Sequence, residues 1–429
     1  MLMRLLYTLS LYLLLPFVLL RLLWRGLRAP AYLRRWPERF GRFPHTPPPG
    51  AIWIHAVSVG ETIAAFPLVR ALQHRHPQRP IIFTTTTPTG SERVTREFGA
   101  AVLHGYLPYD LPGAVARFLA RTRPALAVIL ETELWPNIYA ACSARHIPLI
   151  VANARLSARS AAGYRRVARL ARATLEQVAL VAAQGGADAE RFLALGAPRD
   201  RVRVTGNLKF DLAVAPDMAE RGRALRDSWG GNRPIWIAAS THDGEEALVL
   251  AAHARARGQI PELLLLLVPR HPERFDRVAE LCRAHGIPVV RRSEQRPCAP
   301  DTAVYLGDSM GELMLLYAAA DVAFVGGSLV PSGGHNPLEP AALARPVLHG
   351  PHVSNFAEIS RLLREAGGSR AVNDAGELAG AVVDLLRHPE QAADMGKRAH
   401  GVVLRNRGAL ERLLGIVGEM LNTGLSARD

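Results

Sequence analysis

Hydrophobic and polar positions in this chain change period several times, and the changes divide it. From Leu5 to Leu20 the residues are almost wholly apolar, with only Thr8 and Ser10 interrupting. That run is slightly short of the roughly 20 residues needed to cross hydrocarbon, and Leu22, Leu23 and Trp24 extend it past Arg21. Beyond Ala51, short apolar runs at 52–57, 81–86, 125–130, 149–152, 180–183 and 202–205 read as buried strands, and stretches such as 62–74 and 112–122 have helical spacing. Strands alternating with helices predict a parallel, doubly wound sheet. The periodicity lapses at 211–232, a polar stretch ending Trp229-Gly230-Gly231-Asn232, and then restarts. Strands are expected at 235–239, 263–268, 289–291, 303–306, 322–325 and 347–348, with helices at 244–256, 272–285, 312–319 and 337–344.

The expected fold class is therefore α/β: two Rossmann-like, doubly wound domains facing a central cleft, preceded by an amino-terminal membrane anchor. The boundaries read as 1–50 for the anchor and basic juxtamembrane segment, 51–210 for the first domain, 211–232 for a linker and 233–429 for the second domain, whose last helix is free to pack back on the first. Ligands of such sheets bind at the carboxyl ends of the strands.

Composition sharpens the picture at three points. The 429 residues are 49% hydrophobic and 21% charged, which excludes extensive disorder. Basic residues outnumber acidic ones 52 to 38, a net charge of +14 that calls for an anionic partner surface. Half of that excess lies in the first 50 residues, which hold eight arginines against the single acid Glu38. By the positive-inside rule the arginine-rich side, and with it the bulk of the protein, faces the cytoplasm. No small-x-small cleavage site precedes Arg21, so the segment reads as an uncleaved anchor, with a composition that fits a spanning or an interfacial helix equally. Pro47-Pro48-Pro49-Gly50 closes it as a stiff connector. Cys142, Cys282 and Cys298 are too far apart for a disulfide framework or a thiolate zinc site, which points to a reducing compartment. Only Lys209 and Lys397 are lysines, so 50 of the 52 basic residues are arginine and each lysine needs a reason.

Several residues at strand ends could carry chemistry. Glu61 opens a helix just after the first strand; it is either a first-turn glutamate stabilised by the helix dipole or a general base aimed at the cleft. His55 competes for the second role, but inside an apolar strand it reads as a core histidine. Glu131 and Glu133 end another strand, where a metal is the minority reading and a charge partner the better one. Lys209, in Gly206-Asn207-Leu208-Lys209-Phe210-Asp211, supplies the cation, at a place that wants a compact ammonium instead of a guanidinium. In the second half, Arg270 in Leu267-Val268-Pro269-Arg270-His271-Pro272 suits a phosphate. Two glycine-bearing turns, Gly307-Asp308-Ser309-Met310-Gly311-Glu312 and the segment from Gly326-Gly327-Ser328 to Glu339, are expected to offer backbone N–H groups to an anion. Glu339 could accept ribose hydroxyls or merely complement its own helix start. Neither dinucleotide nor P-loop fingerprints occur.

Taken in order, His55-Ala56-Val57-Ser58-Val59-Gly60-Glu61, Glu131-Thr132-Glu133-Leu134-Trp135-Pro136-Asn137, Gly206 through Asp211, Pro269-Arg270-His271-Pro272 and Gly334-His335-Asn336-Pro337-Leu338-Glu339-Pro340 resemble the 3-deoxy-D-manno-octulosonic acid (Kdo) transferases of lipopolysaccharide synthesis. The resemblance covers nearly the whole chain, with no departure at any motif. It implies a GT-B glycosyltransferase, inverting and without a metal or other cofactor, that moves Kdo from CMP-Kdo to a lipid A precursor (lipid IVA) on the cytoplasmic side of a bacterial inner membrane. By motif position it assigns Glu61 as proton acceptor, Glu131 and Lys209 as transition-state stabilisers, and Pro269, Arg270, Met310, Gly311, Glu312, Asn336, Pro337, Leu338 and Glu339 to CMP binding. The implied partners are CMP-Kdo, the lipid A precursor and the lipid surface, with no nucleic acid. Two rivals remain at this level: a membrane-associated GT-B enzyme using a UDP-sugar on a lipid acceptor, and a membrane-tethered nucleic-acid-binding protein motivated by the net charge. Against the second, no nucleic-acid module is recognisable.

Overall fold

A computed structural model of the protein describes residues 2–426. The chain forms two compact units, one of Met1–Asp211 with Arg407–Asp429 and one of Leu212–Asn406. The first unit is built on a seven-stranded, wholly parallel sheet: β1 (Ala51–His55), β2 (Ile81–Thr85), β3 (Leu103–Tyr106), β4 (Pro124–Leu130), β5 (Leu149–Ala154), β6 (Leu180–Ala183) and β7 (Val202–Val204), in the spatial order β3-β2-β1-β4-β5-β6-β7. All of β1, β2, β5 and β6 is buried, as a parallel sheet covered by helices on both faces requires. The strand order reverses beside β1, so the crevice at the carboxyl ends of β1 and β4 is the place for a ligand.

The second unit repeats the plan with β8 (Ile235–Thr241), β9 (Leu264–Pro269), β10 (Val289–Arg291), β11 (Val304–Leu306), β12 (Val322–Val325), β13 (Val347–His349) and β14 (Ser369–Ala371), ordered β10-β11-β9-β8-β12-β13-β14. Here the reversal lies between β8 and β12. The edge strands β3 and β14 are the ones the hydrophobic pattern does not announce. β3 reads Leu103-His104-Gly105-Tyr106, and its glycine is there because a Cβ would sit 2.2 Å from the Phe43 ring. In β14 only Ser369 is buried.

One boundary differs from the sequence reading. The stretch 211–232 is no open linker: Met218–Asp227 forms a helix of the second unit, and Gly222 lets it approach so closely that a Cβ there would meet Ala318 at 2.6 Å. The final helix, Ala409–Ser426, belongs to the first unit, where Leu413, Leu414, Val417 and Leu421 are buried in one cluster with Ile52, Ile54 and Leu68. The long amino-terminal helix, Leu2–Arg28, runs through Pro16, and its part Leu2–Leu27, with mean hydropathy 1.9, is apolar and long enough to cross a membrane. It is part of the first unit, tied to Asn137 by Thr8, whose hydroxyl lies 3.0 Å from Asn137 Nδ2.

Candidate active site

The first unit gathers ionisable groups at the carboxyl ends of its strands. After β1 the chain enters the helix Val59–Arg75, capped by Ser58, whose hydroxyl accepts from the Glu61 N–H at 3.1 Å. The Glu61 carboxylate folds back to accept from the Val57 N–H at 2.8 Å, which holds it beside the strand end. Glu131 follows β4 with φ +57°, a left-handed backbone that costs a residue with a β-carbon about 1 kcal/mol or more and concentrates at functional sites. Its N–H donates to the Ala152 carbonyl at 2.9 Å. Burial raises the Glu131 pKa and the Glu61 charge raises it further, whereas Lys209 and Arg155 oppose the rise. The charges that Glu131 feels place it in one cluster with Glu61 and Lys209, although the three lie far apart in the chain. Glu133 joins it: burial, then Glu61 and Glu131, push its pKa up to about 7. Carboxylates this close resist being ionised together, and Lys209 with Arg155 supplies the countercharge.

Lys209 is fixed by a polar scaffold that the sequence motif only hints at. It sits in the single turn Leu208–Phe210, whose Leu208 and Phe210 are buried. Asn207 accepts from the Lys209 N–H through Oδ1 at 3.0 Å and donates from Nδ2 to Gln184 Oε1 at 3.0 Å. Gln184 donates to the Asn153 carbonyl at 3.0 Å, and Asn153 Oδ1 accepts from the Leu208 N–H at 3.0 Å. Asp211 ends the motif by accepting from Gly408 and Leu410 N–H groups at 2.6 and 2.7 Å, capping the start of the final helix onto this turn. His55 is wholly buried, donates from Nδ1 toward the Thr84 carbonyl at 2.9 Å and has its pKa pushed down to about 4 by burial, so it is a core residue and no rival to Glu61.

In the second unit the loops after β8, β9 and β12 meet. Arg270 follows β9, its N–H donating to the Thr241 carbonyl at 3.0 Å. His242 and His335 stack, with ring centroids 5.0 Å apart and Nε2 atoms 2.7 Å apart, and the edge of His271 packs on His242. Burial first, then His242 and Arg270, hold His335 down to about 3. Asn336 Oδ1 accepts from the Leu338 N–H at 3.1 Å, and Glu339, pushed up to about 7 by burial, faces the Arg270 charge. The carboxylate of Glu312 is held by Arg292 at 2.7 Å and by the Ser309 hydroxyl, which lowers its pKa. Beside it Met310 is exposed and Gly311 takes φ +88°. A cavity of about 650 Å³ opens along this turn, with Trp229, Tyr305, Arg292 and Glu312 in its wall.

One expected anion site is already filled from within. The N–H groups of Gly327, Ser328 and Leu329 donate to the buried carboxylate of Glu245, at 2.6, 3.0 and 2.9 Å, and His242 adds a fourth bond at 3.2 Å. The start of the glycine-rich segment is therefore a folded strap over Glu245, not a free phosphate cradle. Its end, from His335 to Glu339, and Arg270 face one another. Sequence reasoning missed Glu245 because a glutamate in the first turn of the helix Glu245–Arg257 looks like ordinary dipole complementation.

Against known proteins, residues 34–212 match the family model described as 3-Deoxy-D-manno-octulosonic-acid transferase (kdotransferase). The chain is 46% identical over 417 residues to a 3-deoxy-D-manno-octulosonic acid transferase of Haemophilus influenzae, covering 96% of this chain and 98% of that protein. It is 39% identical to the enzyme of the same name from Bordetella pertussis, covering 97% and 99%. A glycosyltransferase structure from Rickettsia africae, 15% identical, superposes with TM-score 0.56 over 87% of this chain and 99% of that one, a likeness of fold alone. Two units, each on a parallel seven-stranded sheet, are the GT-B architecture. By the extent of these matches, the chain belongs to the 3-deoxy-D-manno-octulosonic acid transferases, glycosyltransferases that transfer Kdo.

Proposed function

We propose that the protein transfers Kdo from CMP-Kdo to a primary hydroxyl of a lipid A precursor, lipid IVA, in one displacement with inversion and without a metal. The observation that carries this reading is the cluster of Glu61, Glu131 and Lys209, in which the charges of Glu61 and Lys209 act in opposite directions on the buried Glu131 carboxyl. Glu61 takes the proton of the acceptor hydroxyl as its oxygen attacks the anomeric carbon of Kdo. The bond from that carbon to the CMP phosphate breaks, and its electron pair leaves on the phosphate oxygen. A single displacement needs no enzyme nucleophile. Lys209 and Glu131 stabilise charge as it develops, and Arg270 with the segment Asn336–Glu339 holds the nucleotide phosphate.

Because Glu312 is bound to Arg292 and Ser309, the turn Met310–Glu312 meets the nucleotide through its backbone. Pro269 fixes the approach of Arg270, and Pro337 and Leu338 fix that of Asn336 and Glu339. The apolar helix Leu2–Arg28 and the arginines that follow it hold the enzyme at the cytoplasmic face of an anionic inner membrane, where its acceptor resides. Incubation of the purified full chain with CMP-Kdo or UDP-sugars and phosphorylated lipid acceptor, read by mass spectrometry, tests the donor. Turnover with UDP-sugars alone refutes it. The variant Glu61→Gln is expected to keep its affinity for CMP while turnover falls by at least about a hundredfold; retained turnover removes Glu61 as the base.

A further inference from the structure

An unbroken run of threonines, Thr84-Thr85-Thr86-Thr87, stands where β2 ends beside β1. Three of them have structural partners. Thr84 Oγ1 accepts from the Trp53 indole N–H at 2.8 Å, Thr85 Oγ1 lies 3.1 Å from His104 Nε2 on β3, and Thr87 Oγ1 accepts from the Gly90 N–H at 3.2 Å, capping the helix Pro88–Phe98. Thr86 differs: its hydroxyl donates across to the Val57 carbonyl at 3.2 Å. The pairing of β1 with β2 stops at His55 and Thr84, and one backbone bond follows, from the Ala56 N–H to the Thr84 carbonyl at 3.1 Å. The Thr86 hydroxyl thus takes over from strand N–H groups just past the end of the ladder.

Val57 is held there by its carbonyl, and its N–H donates to Glu61 Oε2 at 2.8 Å. A glutamate side chain has several rotatable bonds, so the place of its carboxylate depends on such a contact. Thr86 is itself gripped from the juxtamembrane segment. Arg39 Nη2 donates to the Thr86 carbonyl at 3.0 Å, and its guanidinium lies over the Tyr106 ring, 4.3 Å from the centroid, with that of Arg35 also over the ring at 4.7 Å. Buried Glu38 accepts from the Tyr106 N–H at 2.9 Å and from Arg35 Nε at 2.7 Å, and the Arg39 carbonyl accepts from the Tyr109 N–H at 2.8 Å. Arg39 is only 6% exposed. Two of the eight arginines in the first 50 residues are therefore engaged with the fold, on a carbonyl, a carboxylate and an aromatic ring.

We propose that Thr86 and Arg39 are positioning residues for Glu61: Arg39 holds the backbone of Thr86, the Thr86 hydroxyl holds Val57, and the Val57 N–H aims the carboxylate at the acceptor hydroxyl. The proposal rests on Glu61 as the base and adds to it a source of alignment, so that the juxtamembrane segment belongs to the catalytic scaffold as well as to the membrane attachment. The relay moves no proton. It fixes a distance and an angle, on which proton transfer depends steeply.

The test is steady-state kinetics of the full chain in detergent, with CMP-Kdo and dispersed lipid acceptor. Thr86→Val, close in volume but without the hydroxyl, should lower kcat about tenfold and leave KM for CMP-Kdo within about twofold of the parent. Thr86→Ser, which restores the donor, should recover most of that loss. In a Glu61→Gln background Thr86→Val should cost nothing further, since no base is left to aim; a general structural effect would multiply with that of Glu61→Gln. Arg39→Met keeps the apolar stem but loses the donated bond and the charge over Tyr106, and should lower kcat severalfold in detergent, where no bilayer is present. Full turnover by Thr86→Val, a loss that serine does not restore, or a loss that persists undiminished in the Glu61→Gln background overturns the proposal. An Arg39→Met defect confined to vesicles would assign Arg39 to lipid contact and remove it from the relay; if that variant does not fold, the threonine variants still decide. Retained turnover by Glu61→Gln would instead overturn the assignment of the base beneath the proposal.

Discussion

Glu245→Gln is the substitution whose outcome depends most directly on the strap over the donor loops. The carboxylate accepts four backbone N–H bonds, from His242 and Gly327 on one oxygen and from Ser328 and Leu329 on the other. An amide has one oxygen, so whichever way it is turned, two buried N–H groups lose their acceptor and face an NH₂ group. Each such group costs about 1–3 kcal/mol, and with some relaxation of the loop the sum comes to about 3 kcal/mol. For a unit of this size that corresponds to a fall in Tm of roughly 6–12 °C. Trp236, buried on β8, reports the melt of the unit in which the change is made. The same strap leads into Gly334, whose N–H donates to the Gly327 carbonyl at 2.8 Å, and so to His335, Asn336 and Glu339. Loosening it should therefore weaken CMP binding, measured by titration calorimetry, by about tenfold or more. If Tm moves by less than about 2 °C and CMP affinity is unchanged, Glu245 is not what shapes this loop.

Lys209→Arg preserves charge but asks a planar fork to fit a turn fixed by Asn207 and Asn153, so steady-state turnover should fall about a hundredfold with CMP affinity unaltered; equal turnover would mean that lysine scarcity marked nothing. Asp211→Ala removes the acceptor of two N–H bonds at the start of the final helix and should destabilise the first unit by about 1–2 kcal/mol in a denaturant titration. Burial raises the Asp110 pKa from 3.8 to about 6. A raised folded-state pKa stabilises the fold below the ordinary carboxylate range, and that stabilisation is lost as pH rises through about 6. The stability of the parent relative to Asp110→Asn should therefore fall between pH 4 and pH 7, by up to about 3 kcal/mol, in paired melts; a flat difference would show that Asp110 does not titrate there.

The alternation of apolar runs with helical spacing was enough to see two doubly wound sheets, because buried parallel strands such as 126–130 and 264–268 admit almost nothing but Leu, Ile, Val and Ala. The same rule hides β3, whose buried residues are His104, Gly105 and Tyr106, and β14, where only Ser369 is buried, and it leaves the final helix's allegiance open, since Leu413, Leu414 and Val417 would read identically against either sheet. At the site, residue type and place in a motif picked out Glu61, Glu131 and Lys209, but not the device that brings them together. That device is backbone geometry. Glu131 and Asn153 take left-handed φ angles, +57° and +51°, at the carboxyl ends of β4 and β5. A left-handed residue kinks the strand locally, as at Asn153, where the register with β6 shifts between Val151 and Ala154, so the strand end can re-aim a side chain or an acceptor without a loop. Asparagine tolerates this conformation and could have been suspected; glutamate gives no such sign. The strain at Glu131 is retained because its N–H is caught by Ala152 while its carboxylate feels the charges of Lys209 and Arg155, and none of these lies near it in the sequence. What one-dimensional reading lacks at this site is thus long-range: it finds the acids and the ammonium, but the turn that aims them is enforced by neighbouring strands.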